Sequence, residues 1–178
     1  LYAPNAARWL LADAGAAIEF EQAQVDAIED DGTLLLADGG RRRAAQVVLA
    51  AGLEATALCP ELPLRSKKGH LLITDRYPGT VRHQLVELGY VTSAHHAEGD
   101  SVAFNVQPRP TGQLLVGSSR QFDTTDPAVE PAMLARMLRR AIDYLPGLGE
   151  LNAIRSWTGL RVACLLYTSD AADDSLRV

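Results

Sequence analysis

Apolar residues recur at helical spacing through "APNAARWLLADAG", where Ala7, Leu10, Leu11 and Ala14 share a face, Asn5 is placed to cap and Gly15 to stop the helix. The spacing then changes. Short runs through "AAIEFEQAQVDAIEDDGTLLLADGGRRRAAQVVLAAG" predict three or four strands, broken by turns at Asp31-Gly32 and Asp38-Gly39. The last run differs in kind: Val47, Val48 and Leu49 are consecutive and predict a strand buried on both faces. Ala50, Ala51 and Gly52 then remove bulk where that strand ends, leaving room for a ligand or another backbone.

Beyond "LPLRSKKGHLLITDRYPG" the runs lengthen. Strands are predicted at residues 69–75 and in "RHQLVELGYVTSA", "SVAFNVQP" and "GQLLVGSSR", with turns at Pro78-Gly79, Glu98-Gly99-Asp100 and Pro110-Thr111-Gly112. Short connections between successive strands favour an antiparallel meander over βαβ units. "EPAMLARMLRRAIDYLPGL" predicts the clearest helix, with Pro131 in its first turn, Pro146 past its end, and a stripe of Met133, Leu134, Met137, Leu138, Ala141, Ile142 and Leu145.

Composition narrows the function classes. The 178 residues are 47% hydrophobic and 22% charged, which suits one sizeable core or parts of two. With 17 Lys and Arg against 22 Asp and Glu, the net charge of -5 argues against a nucleic-acid partner. Arg41-Arg42-Arg43 follows a turn and reads as a solvated hairpin edge. Cys59 and Cys164 form neither a disulfide framework nor a metal-ligand spacing, in keeping with a reducing compartment. No apolar run is long enough for a transmembrane segment. The chain opens at Leu1, without Met and straight into a helix signal, as an internal piece of something longer would.

Several chemistries lack their signatures. "GLGEL" at Gly147–Leu151 has two glycines of a dinucleotide fingerprint and no third, so it reads as a helix terminator. His70, His83, His95 and His96 have no nucleophile elbow beside them. The His95-His96 pair, ahead of Glu98 and Asp100, reads as a solvated loop, and no metal site is expected.

Three features remain: "VVLAAG" at 47–52, "QPRPTGQLLVGSSR" at 107–120 and "SWTGLR" at 156–161, with "KKGHLLITD" between the first two. In this order they resemble the FAD-dependent amino acid oxidase and dehydrogenase family, of the glycine oxidase and D-amino acid dehydrogenase type, from about Leu1 to Ala163. There a "V-V-x-A-x-G" strand passes beneath the cofactor, a "kG-x-L" strand opens the substrate domain, and "P-R-x-x-G-x-L-x-x-G", here Pro108 to Gly117, marks a hairpin near the substrate cavity.

The resemblance implies an α/β fold with α+β character. Residues 1–62 would be a partial FAD-binding domain of the dinucleotide type, 63–153 a substrate domain with a large, mainly antiparallel sheet, and 154–163 the return crossing. The implied reaction oxidises the amine carbon of an amino acid: hydride passes to FAD N5, the imine hydrolyses to keto acid and ammonia, and oxygen or a quinone accepts the electrons. A cytoplasmic or membrane-associated complete enzyme is implied. This chain alone, without the glycine-rich loop, is expected to hold FAD poorly and to be inactive.

"SWTGLR" begins like a buried, ligand-facing turn. Arg161 at its end is the candidate carboxylate clamp, or otherwise a structural salt bridge. Val25 falls where the family touches the cofactor's adenine, or is a core valine; Ala50, Ala51 and Gly52 approach from the next strand. Asn105 stands where several relatives carry a substrate-facing Tyr, and Tyr90, in a substrate-domain strand, is a further substrate candidate. Trp157, Gly159 and Arg161 match "W-x-G-x-R", but Val162 replaces the Pro that follows, and "CLLYTSDAADDSLRV" departs from the family pattern. Residues 164–178 resemble a translated sequencing adapter; a divergent acidic terminus is the alternative. A secondary amine or 2-hydroxy acid substrate, or a non-catalytic β-rich binding module, are the competing functions.

Overall fold

A computed structural model of the chain describes residues 3–90 and 99–164. The chain divides into two compact units, residues 1–49 and 50–178.

In the first unit helix α1 spans Ala3–Ala14 and ends on Gly15, at φ +52°. Asn5 lies inside this helix and does not cap it, because the helix begins two residues ahead of it. Strands β1 (Val25–Ile28), β2 (Thr33–Leu36) and β3 (Arg41–Arg43) form an antiparallel meander in chain order, so both predicted turns close hairpins. The first turn requires glycine: Gly32 has φ +80°, and a Cβ there would stand 2.9 Å from the Ala44 carbonyl oxygen. The aspartates before the glycines hold the turns, Asp31 Oδ1 accepting from Thr33 N–H at 3.0 Å and Asp38 Oδ1 from Gly40 N–H at 2.8 Å. Arg41, Arg42 and Arg43 pair with Glu29, Glu21 and Asp31 on the surface. The basic run is therefore a solvated edge neutralised by its own unit.

The strand predicted at Val47–Leu49 does not form. Residues 44–51 belong to no helix or strand, and Val48 is exposed. A strand buried on both faces needs partner strands on both edges and cover on both faces. Among the described residues, the three-stranded meander of this unit supplies neither.

The second unit opens with a single turn at Gly52–Glu54 and helix α2 (Ala55–Leu58). Strands β4 (Leu64–Arg76), β5 (Leu85–Val86), β6 (Ser101–Pro108), β7 (Gln113–Phe122) and β8 (Ala153–Cys164) then build one antiparallel sheet in the order β5-β6-β7-β4-β8. The predicted meander is realised in β5-β6-β7. Two expectations change. Within the described part of the strand expected at "RHQLVELGYVTSA", residues 82–90, only Leu85–Val86 is strand, and Tyr90 lies beyond it, its N–H donating to the Glu87 carbonyl at 3.0 Å. Residues 91–98, with His95, His96 and Glu98, lie outside the described residues. "SWTGLR", expected as a turn, is the middle of β8, which pairs with β4 from Leu64↔Cys164 to Thr74↔Ala153. Thirteen residues of β4 present a row of amides and carbonyls on that edge, and β8 satisfies them.

Helix α3 (Pro131–Tyr144) packs on one face of this sheet. Its stripe is buried at Met133, Met137 and Ala141, partly buried at Leu134, Leu138 and Leu145, and emerges at Ile142. With Leu72, Val81, Phe104, Val106, Leu114 and Val116 these residues form the core. Each large apolar side chain fully enclosed there contributes about 1.5–3 kcal/mol. Phe104 stacks on Tyr144 with centroids 4.8 Å apart, fastening the end of the helix to β6. Among the described residues no helix is long and apolar enough to cross a membrane.

Candidate functional site

The face of the sheet away from α3 gathers the candidate residues. Along β4, Ser66, Lys68, His70, Leu72 and Thr74 are buried toward the helix, so alternation places Lys67, Gly69 and Leu71 on the opposite face. Register pairs Lys67 with Arg161 and Leu71 with Trp157, which puts Arg161 and Trp157 on that face too. On β7, Ser119 and Gln121 bond to His70 and Glu130 on the helix side, so Ser118 and Arg120 point the other way. Asn105 of β6 stands opposite Gly117, between the core residues Phe104 and Val106, and likewise faces away from the helix.

Arg161 crosses β4 at Gly69. Its Nη2 donates to the Ser119 carbonyl at 3.2 Å, and a Cβ on Gly69 would stand 2.7 Å from that nitrogen. Only glycine leaves the guanidinium this path. Tyr90 lies over Arg120: the guanidinium carbon is 4.7 Å from the ring centroid, and Nη2 donates to the Tyr90 carbonyl at 3.4 Å. Ser118 Oγ is 3.4 Å from the Tyr90 hydroxyl, and Gln84 Nε2 donates to Asn105 Oδ1 at 3.2 Å.

Electrostatics tie these groups together. Burial pushes the Tyr90 phenol up, but the Ser118 hydrogen bond and the charges of Arg120 and Arg161, with a smaller contribution from Asn105, outweigh it and hold the phenol below its usual range. Arg120 is 2% exposed, and its pKa is lowered by burial; Tyr90 opposes that shift and the nearby charge of Arg161 adds to it. The result is a phenol and two guanidiniums on one sheet face, a combination suited to an anion.

On the helix side a separate polar group supports the sheet. Lys68, fully buried, donates to Glu130 Oε1 at 3.0 Å, and Gln121 Nε2 donates to Glu130 Oε2 at 2.8 Å. His70 Nδ1 lies 2.9 Å from Ser119 Oγ, and His70 Nε2 accepts from Glu130 N–H at 3.0 Å.

Of the residues singled out in the sequence, Arg161, Tyr90 and Asn105 share this face. The neighbours of Arg161 were expected to be buried, yet Gly159 and Leu160 are exposed, because β8 is an edge strand. Among the described residues Arg161 forms no ion pair, and its bond goes to a carbonyl instead. Ala50 and Ala51 are exposed, and Gly52, at φ +62°, comes within 4.0 Å of Val162, the residue after Arg161. Val25 belongs to the first unit, half-buried at the start of β1 opposite Leu36. Sequence reasoning missed Gly69, Ser118 and Arg120, although all three lie inside motifs it had marked. The available signal was a charged residue in the run "LLVGSSRQF", which a strand buried on both faces would not carry without a partner.

Residues 1–173 match the family model described as "FAD dependent oxidoreductase". An opine oxidase subunit of Agrobacterium tumefaciens (strain Ach5) is 31% identical over 121 residues, covering 66% of this chain and 28% of that protein. The corresponding opine oxidase subunit of Rhizobium meliloti is 29% identical over 136 residues, covering 74% of this chain and 32% of that protein. The chain thus spans about a third of the length of these curated relatives. Among solved structures, glycine oxidase from Geobacillus kaustophilus matches with a TM-score of 0.64 at 22% identity, covering 82% of this chain and 38% of that one. That likeness bears out the mixed α/β fold with antiparallel sheets.

Proposed function

The chain belongs to the FAD dependent oxidoreductase family, and from that premise we propose that it supplies the substrate-binding sheet and part of the cofactor region of an enzyme that oxidises the amine carbon of an amino acid. The observation that carries this reading is the meeting of Arg161, Tyr90 and Asn105 on the open sheet face. Arg161 offers a planar fork to the substrate carboxylate, each charge-assisted bond worth about 1.5–3 kcal/mol. Its anchorage on the Ser119 carbonyl keeps the guanidinium over Gly69 before any substrate arrives. The Tyr90 hydroxyl donates to the same carboxylate, and the Asn105 amide, steadied by Gln84, orients Tyr90 or a polar group of the substrate.

Bound here, FAD would supply the acceptor for the hydride leaving the amine carbon. The residues proposed to meet it fit a flat ligand: Ala50 and Ala51 are small and exposed, and the space where a Gly52 side chain would stand is open apart from Val162 at 4.0 Å. Val25 is proposed to offer backbone to the adenine end. In this reading residues 1–62 serve the cofactor, 63–153 the substrate, and 154–163 return toward the cofactor, with oxygen or a quinone as electron acceptor.

The likeness to the two opine oxidase subunits favours a second reading in which the amine oxidised is that of an opine. Both readings require Arg161. In the complete enzyme, Arg161→Ala is expected to raise KM about ten- to a hundredfold while flavin stays bound. Unchanged kinetics on both substrate classes would remove the clamp and this reading with it.

A further inference from the structure

Arg120 sits at a costly place. It is 2% exposed on β7, and the charge of Arg161 acts on it from the neighbouring region of the same face. An apolar side chain of similar volume would fill the space without desolvating a cation. The guanidinium meets Tyr90 at two points, the face of the ring and the main-chain carbonyl. Tyr90 follows β5, a strand of only two residues, and its N–H donates to the Glu87 carbonyl.

We infer that Arg120 is a positioning residue, which fixes the Tyr90 hydroxyl on the Arg161 side of the sheet so that phenol and guanidinium form a two-point cradle for one carboxylate. The inference rests on the carboxylate-binding reading given above and adds the residue that shapes the cradle. Tyr90 is faced by Arg120 and Ser118 from β7, Arg161 from β8 and Asn105 from β6. A phenol donates to a carboxylate only while it keeps its proton, and the two cations make that proton easier to lose. Removing Arg120 therefore has two separable consequences: the cradle loosens, and the alkaline limit of carboxylate binding moves to higher pH.

The test uses the complete, FAD-loaded protein with acetate as probe, its Kd read from the perturbation of the flavin absorption across pH. Arg120→Met is expected to bind acetate about tenfold more weakly near neutral pH, with the alkaline fall-off displaced upward. Arg120→Lys, which keeps the charge, is expected to regain part of the affinity and to leave the fall-off where the unaltered protein has it. Wild-type affinity in Arg120→Met, or weakened affinity with an unmoved alkaline limit, would overturn the inference. Should Arg120→Met fail to fold, Arg120→Lys decides alone: several-fold weaker acetate binding supports the inference, and unchanged binding defeats it. If Arg161→Ala also leaves acetate binding untouched, the carboxylate reading itself fails; if Arg161→Ala weakens it and the Arg120 variants do not, only the role of Arg120 is lost.

Discussion

The guanidinium of Arg161 passes over Gly69, its Nη2 2.7 Å from where a Cβ on that glycine would lie. Gly69→Ala therefore confronts a movable group and a fixed one, since the Ser119 carbonyl oxygen would stand 3.2 Å from the new methyl. The arginine tip swings away at little cost, while the backbone has to give by a few tenths of an ångström, an overpacking that costs about 1–3 kcal/mol. The expected outcome is a folded protein with KM raised in the direction of Arg161→Ala. The double variant Gly69→Ala/Arg161→Ala should be no worse than Arg161→Ala alone, because both changes remove one interaction. Additive effects on KM would show that Gly69 acts through something other than Arg161.

What the sequence disclosed was chiefly what is local. Asp31-Gly32, Asp38-Gly39 and Pro110-Thr111-Gly112 carry their own turn chemistry, and the stripe of α3 carries its own period, so hairpins and helix could be placed without knowing their neighbours. Val47–Leu49 and "SWTGLR" depend on partners far along the chain, and there local pattern misled: one run has no strand to pair with among the described residues of its unit, and the other found a long edge on β4. Arg161 and Asn105 were nameable because the family resemblance points to them, and Tyr90 because it fell in a predicted strand of the substrate domain. Arg120 was not, because the pairing register slips between Lys68 and Leu72 and between Val102 and Asn105, and simple alternation along β7 fails across such slips.

Glu87 joins β6 to α3 from a nearly enclosed position. It is 7% exposed, and its Oε2 accepts from Phe104 N–H at 2.7 Å and from Arg140 Nε at 3.0 Å. Burial alone would raise its pKa, but the bond to Arg140 and the Phe104 amide outweigh that and hold the carboxyl below its usual range. Glu87→Ala leaves the Phe104 amide and the Arg140 guanidinium without their acceptor, at about 2–4 kcal/mol. Glu87→Gln keeps an oxygen for the amide and loses only the charge, so about half that cost is expected. Chemical denaturation midpoints of the two variants give the comparison, and equal losses would show that the charge, not the amide bond, matters here.

His70 makes stability depend on pH in a predictable direction. Glu130 N–H can only donate, so Nε2 at 3.0 Å carries no proton, and the ring's hydrogen lies on Nδ1, toward Ser119 Oγ at 2.9 Å. Protonating Nε2 would set two donors against each other. Burial, and then the charge of Lys68, lower the pKa of this imidazole from 6.5, with Glu130 pulling weakly the other way. A folded pKa below the unfolded one means that the contribution is complete above about 6.5 and is lost as pH falls toward and through the folded value. Glu87 and Glu130 are held below the usual carboxylate range, so their losses come at lower pH still. The denaturation midpoint should therefore fall between about pH 7 and about pH 5.5. His70→Gln, whose amide oxygen can still accept from Glu130 N–H, should be less stable near neutrality yet nearly flat across that interval. A variant that keeps the full slope would place the acid sensitivity in another group.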